Sequence, residues 1–199
     1  MTTTTQPRRK ADGRETLLDV ARTQFLANGF DGVSMQQVAE AAGMTKGAPY
    51  YHFKSKDDLF LAVFVREVTR LGDGLTEALE GQGSLRDRLK VGVRGVIEST
   101  TGDFDQLVRD FDSHFGGDPT GLPDNGEGLD LHTIVLPFFQ HARESGEYSR
   151  LSAEQAVDFF MLVLLGQSKA TKYAKFRHRP TPSAAERASE LIDLLFDGI

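Results

Sequence analysis

An all-α fold is predicted by three features: no run of apolar–polar alternation bounded by hairpin turns, a repeated helix-start signature, and glycines where those helices should stop. The start signature is a Ser followed three residues later by Glu, Gln or Asp. The hydroxyl caps one orphan backbone N–H, and the later side chain reaches back to another. It occurs at Ser34/Gln37, Ser55/Asp58, Ser84/Asp87, Ser152/Gln155 and Ser183/Glu186, and Asp12/Glu15 repeats it with a carboxylate cap. The stops are Gly29, Gly43, Gly81, Gly102, Gly116 and Gly146, since glycine accepts the left-handed backbone of a helix C-cap.

Apolar spacing fills these brackets in order. Leu17, Ala21 and Phe25 share a face of a first helix over 13–28. Val38, Ala39 and Ala42 mark a short second helix over 35–42, and a shorter third fits 46–52. Leu59, Val63, Leu71 and Leu75 run along a long fourth helix over 56–80. Further helices fit 85–100, 104–115, 129–145, 153–174 and 184–197, and 116–128 is a loop rich in glycine and proline.

The 199 residues suffice for one domain, or for a small module fused to a larger one. Cysteine is absent, which excludes disulfides, thiolate metal sites and a cysteine nucleophile. The longest apolar run, Phe159–Leu165, is far short of the ~20 residues that span a bilayer. The first ten residues lack a secretory h-region, so a cytoplasmic protein with no membrane partner is expected. Nucleophile-elbow, P-loop and dinucleotide motifs are missing, Gly92 and Gly95 being a coincidence inside a helix. No enzyme, cofactor or metal site is therefore expected.

Charge is unevenly spread. Residues 1–60 hold eight Lys/Arg against seven Asp/Glu, a net of +1, whereas the remainder holds 15 against 22, a net of −7. Arg8, Arg9, Lys10 and Arg14 form one basic window, and Lys46, Lys54 and Lys56 another. A basic end on an acidic body suits a protein that touches a polyanion at one end, although solvated surface charge gives the same count.

The turn Ala42-Gly43-Met44-Thr45 between two short helices makes a helix-turn-helix arrangement. The second helix of such a pair enters the major groove, and residues 45–56, TKGAPYYHFKSK, carry what that role needs. Thr45 can cap the helix and reach a phosphate, and Lys46 can donate to guanine O6 or N7. Gly47 and Ala48 are small enough to let the backbone approach base edges. Tyr50 and Tyr51 offer a flat face for a thymine methyl and a hydroxyl for phosphate, with core packing as the plainer alternative. His52 can donate to phosphate or cap the short helix, and Lys56 opens the next helix where backbone N–H groups also face an anion. Arg8, Arg9 and Lys10 can reach a minor groove as a basic arm, or idle in solvent.

The segment GFDGVSMQQVAEAAGMTKGAPYYHFKSKDDLFLAV, residues 29–63, resembles the DNA-binding domain of the TetR family of bacterial transcriptional regulators. Gly29-Phe30, Val33-Ser34, Val38-Ala39, Ala42-Gly43, Lys46-Gly47, Tyr50, His52-Phe53 and Ser55-Lys56 carry the likeness. The resemblance implies base contacts from Lys46, Gly47 and Tyr50, phosphate contacts from Ser34, Thr45, Tyr51, His52 and Lys56, and core positions at Val38, Ala39 and Phe53. Pro49 departs from the Leu or Ile usual there. If Thr45 is the cap, Pro49 costs one helical bond; if Lys46 is, it costs little.

The resemblance also implies a division into a disordered basic arm at 1–11, a helix-turn-helix domain at 12–55 and a ligand and dimer domain at 56–199. Its last two helices, apolar at Ala156, Phe159, Phe160, Val163, Leu164, Ala188, Leu191, Ile192 and Leu195, would pair with a second copy. A homodimer suits an operator whose half-sites repeat at about one turn of DNA, roughly 34 Å. Candidate lining for a small, apolar or aromatic effector is Phe104, Leu107, Phe111, His114 and Phe115, then His132, Leu136, Phe138, Phe139 and His141, faced by Phe160, Leu164 and Gln167. Ordinary core is the alternative for each. The function implied is a repressor: the free dimer grips a palindromic operator, and effector binding favours a state in which the fourth helix has swung the reading heads apart. Reversed polarity, with a corepressor, gives the same sequence.

Overall fold

The computed structural model describes residues 7–100, 104–116, 131–162, 164 and 182–198, and all regular structure among them is helical. In order these are α1 (Pro7–Asn28), α2 (Met35–Ala41), a single 3-10 turn (Ala48–Tyr51), α3 (Lys56–Leu79), α4 (Leu85–Thr100), α5 (Phe104–Phe115), α6 (Leu131–Glu144), α7 (153–162) and α8 (Ala184–Asp197). Bounds follow the caps closely. Ser34 and Ser183 form complete capping boxes, and the Ser84 and Ser152 hydroxyls each accept the N–H three residues on, at 3.1 Å. α1 differs: it begins at Pro7, so the Asp12/Glu15 pair lies inside the helix rather than opening it. Residues 7–11, expected in a disordered arm, belong to this helix. The expected helix beyond 164 lies outside the described residues.

The chain forms two compact units. The first takes residues 1–67 and 102–125, and the second 68–101 and 126–199. The expected cut at 55/56 is displaced on two counts: the boundary falls inside α3 after Glu67, and α5 returns to the first unit. The cause is aromatic. Phe111 stacks on Phe64 at 4.3 Å, and Phe115 stacks on Phe60 at 5.3 Å with planes 3° apart. These join Leu17, Leu18, Ala21 and Phe25 of α1, Val38 and Ala39 of α2, and Leu59 and Val63 of α3 in one core. Ion pairs tie α1 to α3 beside it, Arg22 to buried Glu67 at 2.7 Å and Arg66 to Asp19 at 2.9 Å.

In the second unit α4 packs against α8 and α6. Its core joins Leu75 and Leu79 of α3, Leu85, Leu89, Val93 and Ile97 of α4, Val135 and Phe139 of α6, Ala156 and Phe160 of α7, and Ala188, Ile192 and Leu195 of α8. Arg86 of α4 holds Asp197 of α8, and Lys90 holds Asp193 at 2.6 Å. No described helix is long and apolar enough to cross a membrane.

Candidate nucleic-acid interface

The Ser34 hydroxyl accepts the Gln37 N–H at 3.3 Å, and the Gln37 side chain accepts the Ser34 N–H at 2.8 Å, which fixes the start of α2. The Met44 N–H returns to the Ala39 carbonyl at 2.8 Å and closes α2. A turn through Thr45, Lys46 and Gly47 then leads into the 3-10 segment, where Ala48 N–H reaches the Thr45 carbonyl at 2.9 Å. Gly47 is the N-cap and Pro49 the second residue of the turn. Both caps considered from sequence, Thr45 and Lys46, lie earlier, so Pro49 sits where no N–H is needed. Its ring is buried, and its carbonyl accepts both the His52 and Phe53 N–H groups at 3.0 and 2.9 Å. The segment is one tight turn instead of a helix over 46–52.

That turn sorts its side chains. Pro49 and Phe53 face inward, with the Arg14 guanidinium 5.3 Å from the Phe53 ring centroid. Tyr50 and Tyr51 face outward, 57% and 81% exposed. Core packing, the plainer account of the two tyrosines, is therefore set aside. Thr45, Lys46 and Gly47 are exposed beside them, as is Lys54, which was singled out for charge alone. Ser34 is exposed at the head of α2. His52 is half-buried, its ring against Gly13 of α1. Lys56 departs most from expectation. Its ammonium is half-buried, donates to the Phe30 carbonyl at 3.0 Å and lies 4.1 Å from the Phe30 ring centroid. It ties the start of α3 to Phe30.

Residues 17–63 match the family described as bacterial regulatory proteins, tetR family. The match places the likeness to that family in the N-terminal part of the chain. It is 35% identical over 85 residues to the transcriptional activator FasR of Mycolicibacterium smegmatis, covering 43% of this chain and 39% of that protein. It is 32% identical over 75 residues to the transcriptional repressor AcnR of Corynebacterium glutamicum, covering 35% and 40%. The chain thus matches about two fifths of the length of these relatives. The solved fold of the regulator FadR from Bacillus subtilis, in complex with stearoyl-CoA, superposes with a TM-score of 0.65 at 16% identity, covering 93% of this chain and 98% of that one. AibR, solved with isovaleryl coenzyme A and operator DNA, gives 0.64 at 18% identity, covering 92% and 98%.

Beyond this matched segment, the expected effector-lining set is divided. Phe104, Leu107, Phe111, His114 and Phe115 fall in the first unit, where Leu107 and Phe111 are buried core and His114 faces Asp31 at 3.5 Å. The rest fall in the second. Phe139, Phe160 and Leu164 are buried core there, and Leu136 and Phe138 pack on it. The His132 ring lies 3.0 Å from the Glu154 carboxylate and His141 is exposed, while Gln167 lies outside the described residues. None of them lines a cleft of about 530 Å³ between the C-terminal half of α3 and α4. Its walls include Leu71, Leu75, Ala78, Val91 and Val96, with Arg70 and Arg88 among its polar residues. Gly74 and Gly95 leave open space within it. The cleft owes its space to glycines rather than to aromatic residues.

Proposed function

We propose that the chain is a transcriptional repressor, acting as a homodimer that reads a palindromic operator through residues 45–51 and lets go when a small, largely apolar effector binds its second unit. The observation that carries the DNA-reading part is the outward display of Tyr50 and Tyr51 on a turn whose inward residues, Pro49 and Phe53, are buried. Two large aromatics held in water on the same turn as Thr45 and Lys46 suit contact with a thymine methyl and hydrogen bonding to phosphate on a duplex. Effector release is a population shift, driven by differential affinity for a state in which α3 has moved the heads. The open α3–α4 cleft supports an apolar guest. Acyl thioesters are the first probes, since FadR and AibR hold them.

The test uses the full-length chain and duplexes enriched by it from a random library. Affinity should fall steeply with salt, as phosphate contacts require. Tyr51→Ala should lose about tenfold in affinity, since a hydrogen bond to a charged group such as phosphate is worth roughly 1.5–3 kcal/mol, while its melting point stays unchanged. Unaltered binding by Tyr51→Ala would remove the turn from the interface. Isovaleryl-CoA or stearoyl-CoA should then release the duplex from the wild type but not from Gly95→Leu, which fills the cleft. A ligand that tightens binding instead would establish the corepressor polarity.

A further inference from the structure

α1 ends at Asn28, and Gly29 follows in the left-handed region with φ +69°. The Gly29 N–H still bonds back to the Phe25 carbonyl at 2.9 Å. The next N–H, that of Phe30, has left the helix and needs an acceptor from elsewhere. It finds the Asp110 carboxylate of α5 at 2.7 Å, eighty residues away in sequence. The other carboxylate oxygen accepts the Gln106 side-chain N–H at 2.8 Å. Asp110 is 8% exposed, one of two buried acidic residues among those described. The approach is close: a Cβ on Gly29 would lie 3.1 Å from the Gln106 nitrogen and 3.6 Å from an Asp110 oxygen.

A buried carboxylate is an inefficient way to gain stability, because desolvation offsets its bonds. What it supplies is direction, since a charge-assisted N–H···O bond fixes distance and angle. The residue so fixed is a node of the reading head. The Phe30 carbonyl accepts the Lys56 ammonium, at the first residue of α3, and the Val33 N–H just ahead of the Ser34 cap of α2. The Phe30 ring lies under Lys56, at 5.2 Å from Phe60, 5.7 Å from Phe115 and 4.5 Å from His114. Both ends of the helix-turn-helix, the start of α2 and the exit into α3, therefore take their position from one residue, and α5 holds that residue.

We propose that Asp110 is a positioning residue for DNA recognition: by holding the Phe30 amide it sets α2 and the 48–51 turn at the angle that brings Tyr50 and Tyr51 onto a duplex. The proposal rests on the DNA-reading function above.

The test compares full-length wild type with Asp110→Ala, which removes the acceptor, and Asp110→Asn, which keeps one. Each is measured against the duplex enriched by the wild type and against a scrambled duplex at low salt. The exchange rate of the Phe30 amide is followed in parallel. Asp110→Ala should lose about tenfold or more in the ratio of enriched to scrambled affinity, because specificity depends on placement and non-specific binding on phosphate charge. Its scrambled-duplex affinity and salt slope should stay unchanged, and its Phe30 amide should exchange about tenfold faster. Asp110→Asn should remain within about threefold of wild type on both counts. Wild-type discrimination by Asp110→Ala overturns the proposal. So does an equal loss on both duplexes, which marks a head that has merely unfolded. A wild type that enriches no duplex overturns the DNA-reading function, and this proposal with it.

Discussion

Gly92 and Gly95 stand three residues apart on α4 and meet different surroundings. A Cβ on Gly92 would come within 2.5 Å of the Leu75 Cδ1 and 3.3 Å of the Ala78 Cβ, and Leu75 is itself fully buried. On Gly95 it would meet nothing within 4 Å. Helix propensity favours Ala over Gly by about 1 kcal/mol at either site, but overpacking costs about 1–3 kcal/mol at the first. Gly95→Ala should therefore raise the melting point by a few degrees, and Gly92→Ala should lower it. An equal rise in both would deny the close approach of α4 to α3. The same contrast explains what was legible at this scale. The exposure of Tyr50, Tyr51, Thr45 and Lys46 follows from local surroundings, a short turn that must put some side chains outward. The Lys56 bond to Phe30 was not legible, because its partner lies 26 residues away. The effector candidates stayed divided between two readings, because an aromatic residue on a helix face reads the same whether it packs a core or lines a cleft.

α8 is fastened at its start and along one face. Ser183 and Glu186 form its capping box, while Arg86 and Lys90 of α4 hold Asp197 and Asp193. The Asp193 carboxyl is held below the usual carboxylate range, first by the hydrogen bond from Lys90, then by Ser189 and by the charges of Lys90 and Arg86, with burial opposing. A carboxyl depressed in the folded state adds stability above its unfolded value, about 3.9, and loses it as pH falls through the folded value. Glu186 is depressed by the Ser183 hydroxyl and amide and acts in the same direction. Urea midpoints followed by circular dichroism should therefore drop between pH 5 and pH 3, and drop less in Asp193→Asn. Parallel loss in both proteins would assign the acid limb to other groups. Asp193 is 40% exposed, so the difference should also shrink with added salt. Elements were the most legible scale, because caps act within four residues: α4, α5 and α8 have the expected bounds. The exceptions are a pair inside α1 that only imitates a cap, and a segment at 48–51 tightened around Pro49.

Charge asymmetry between the first sixty residues and the remainder is written directly in the composition. The division into units is not, because α5 leaves its sequence neighbours to stack on α3, a long-range choice without local signature. The proposed dimer belongs to the same scale. On α7, Leu162 is 72% exposed and Phe159 37%, and Leu194 on α8 is exposed at 41%. Large apolar side chains on two neighbouring final helices suit burial against a second copy. A palindrome reader needs that copy, since two turns must reach half-sites about 34 Å apart or a multiple of it. Placing a charge in such a face should divide the protein without unfolding it, because Leu162 is exposed within one chain. Leu162→Glu should sediment at half the wild-type mass with an unchanged helical spectrum. It should bind a single half-site as the wild type does and lose the extra affinity that a full palindrome gives, an advantage that depends on linking two heads. A Leu162→Glu protein that remains dimeric would move the interface elsewhere, and a monomeric wild type that still prefers the palindrome would leave the second copy to be recruited on DNA.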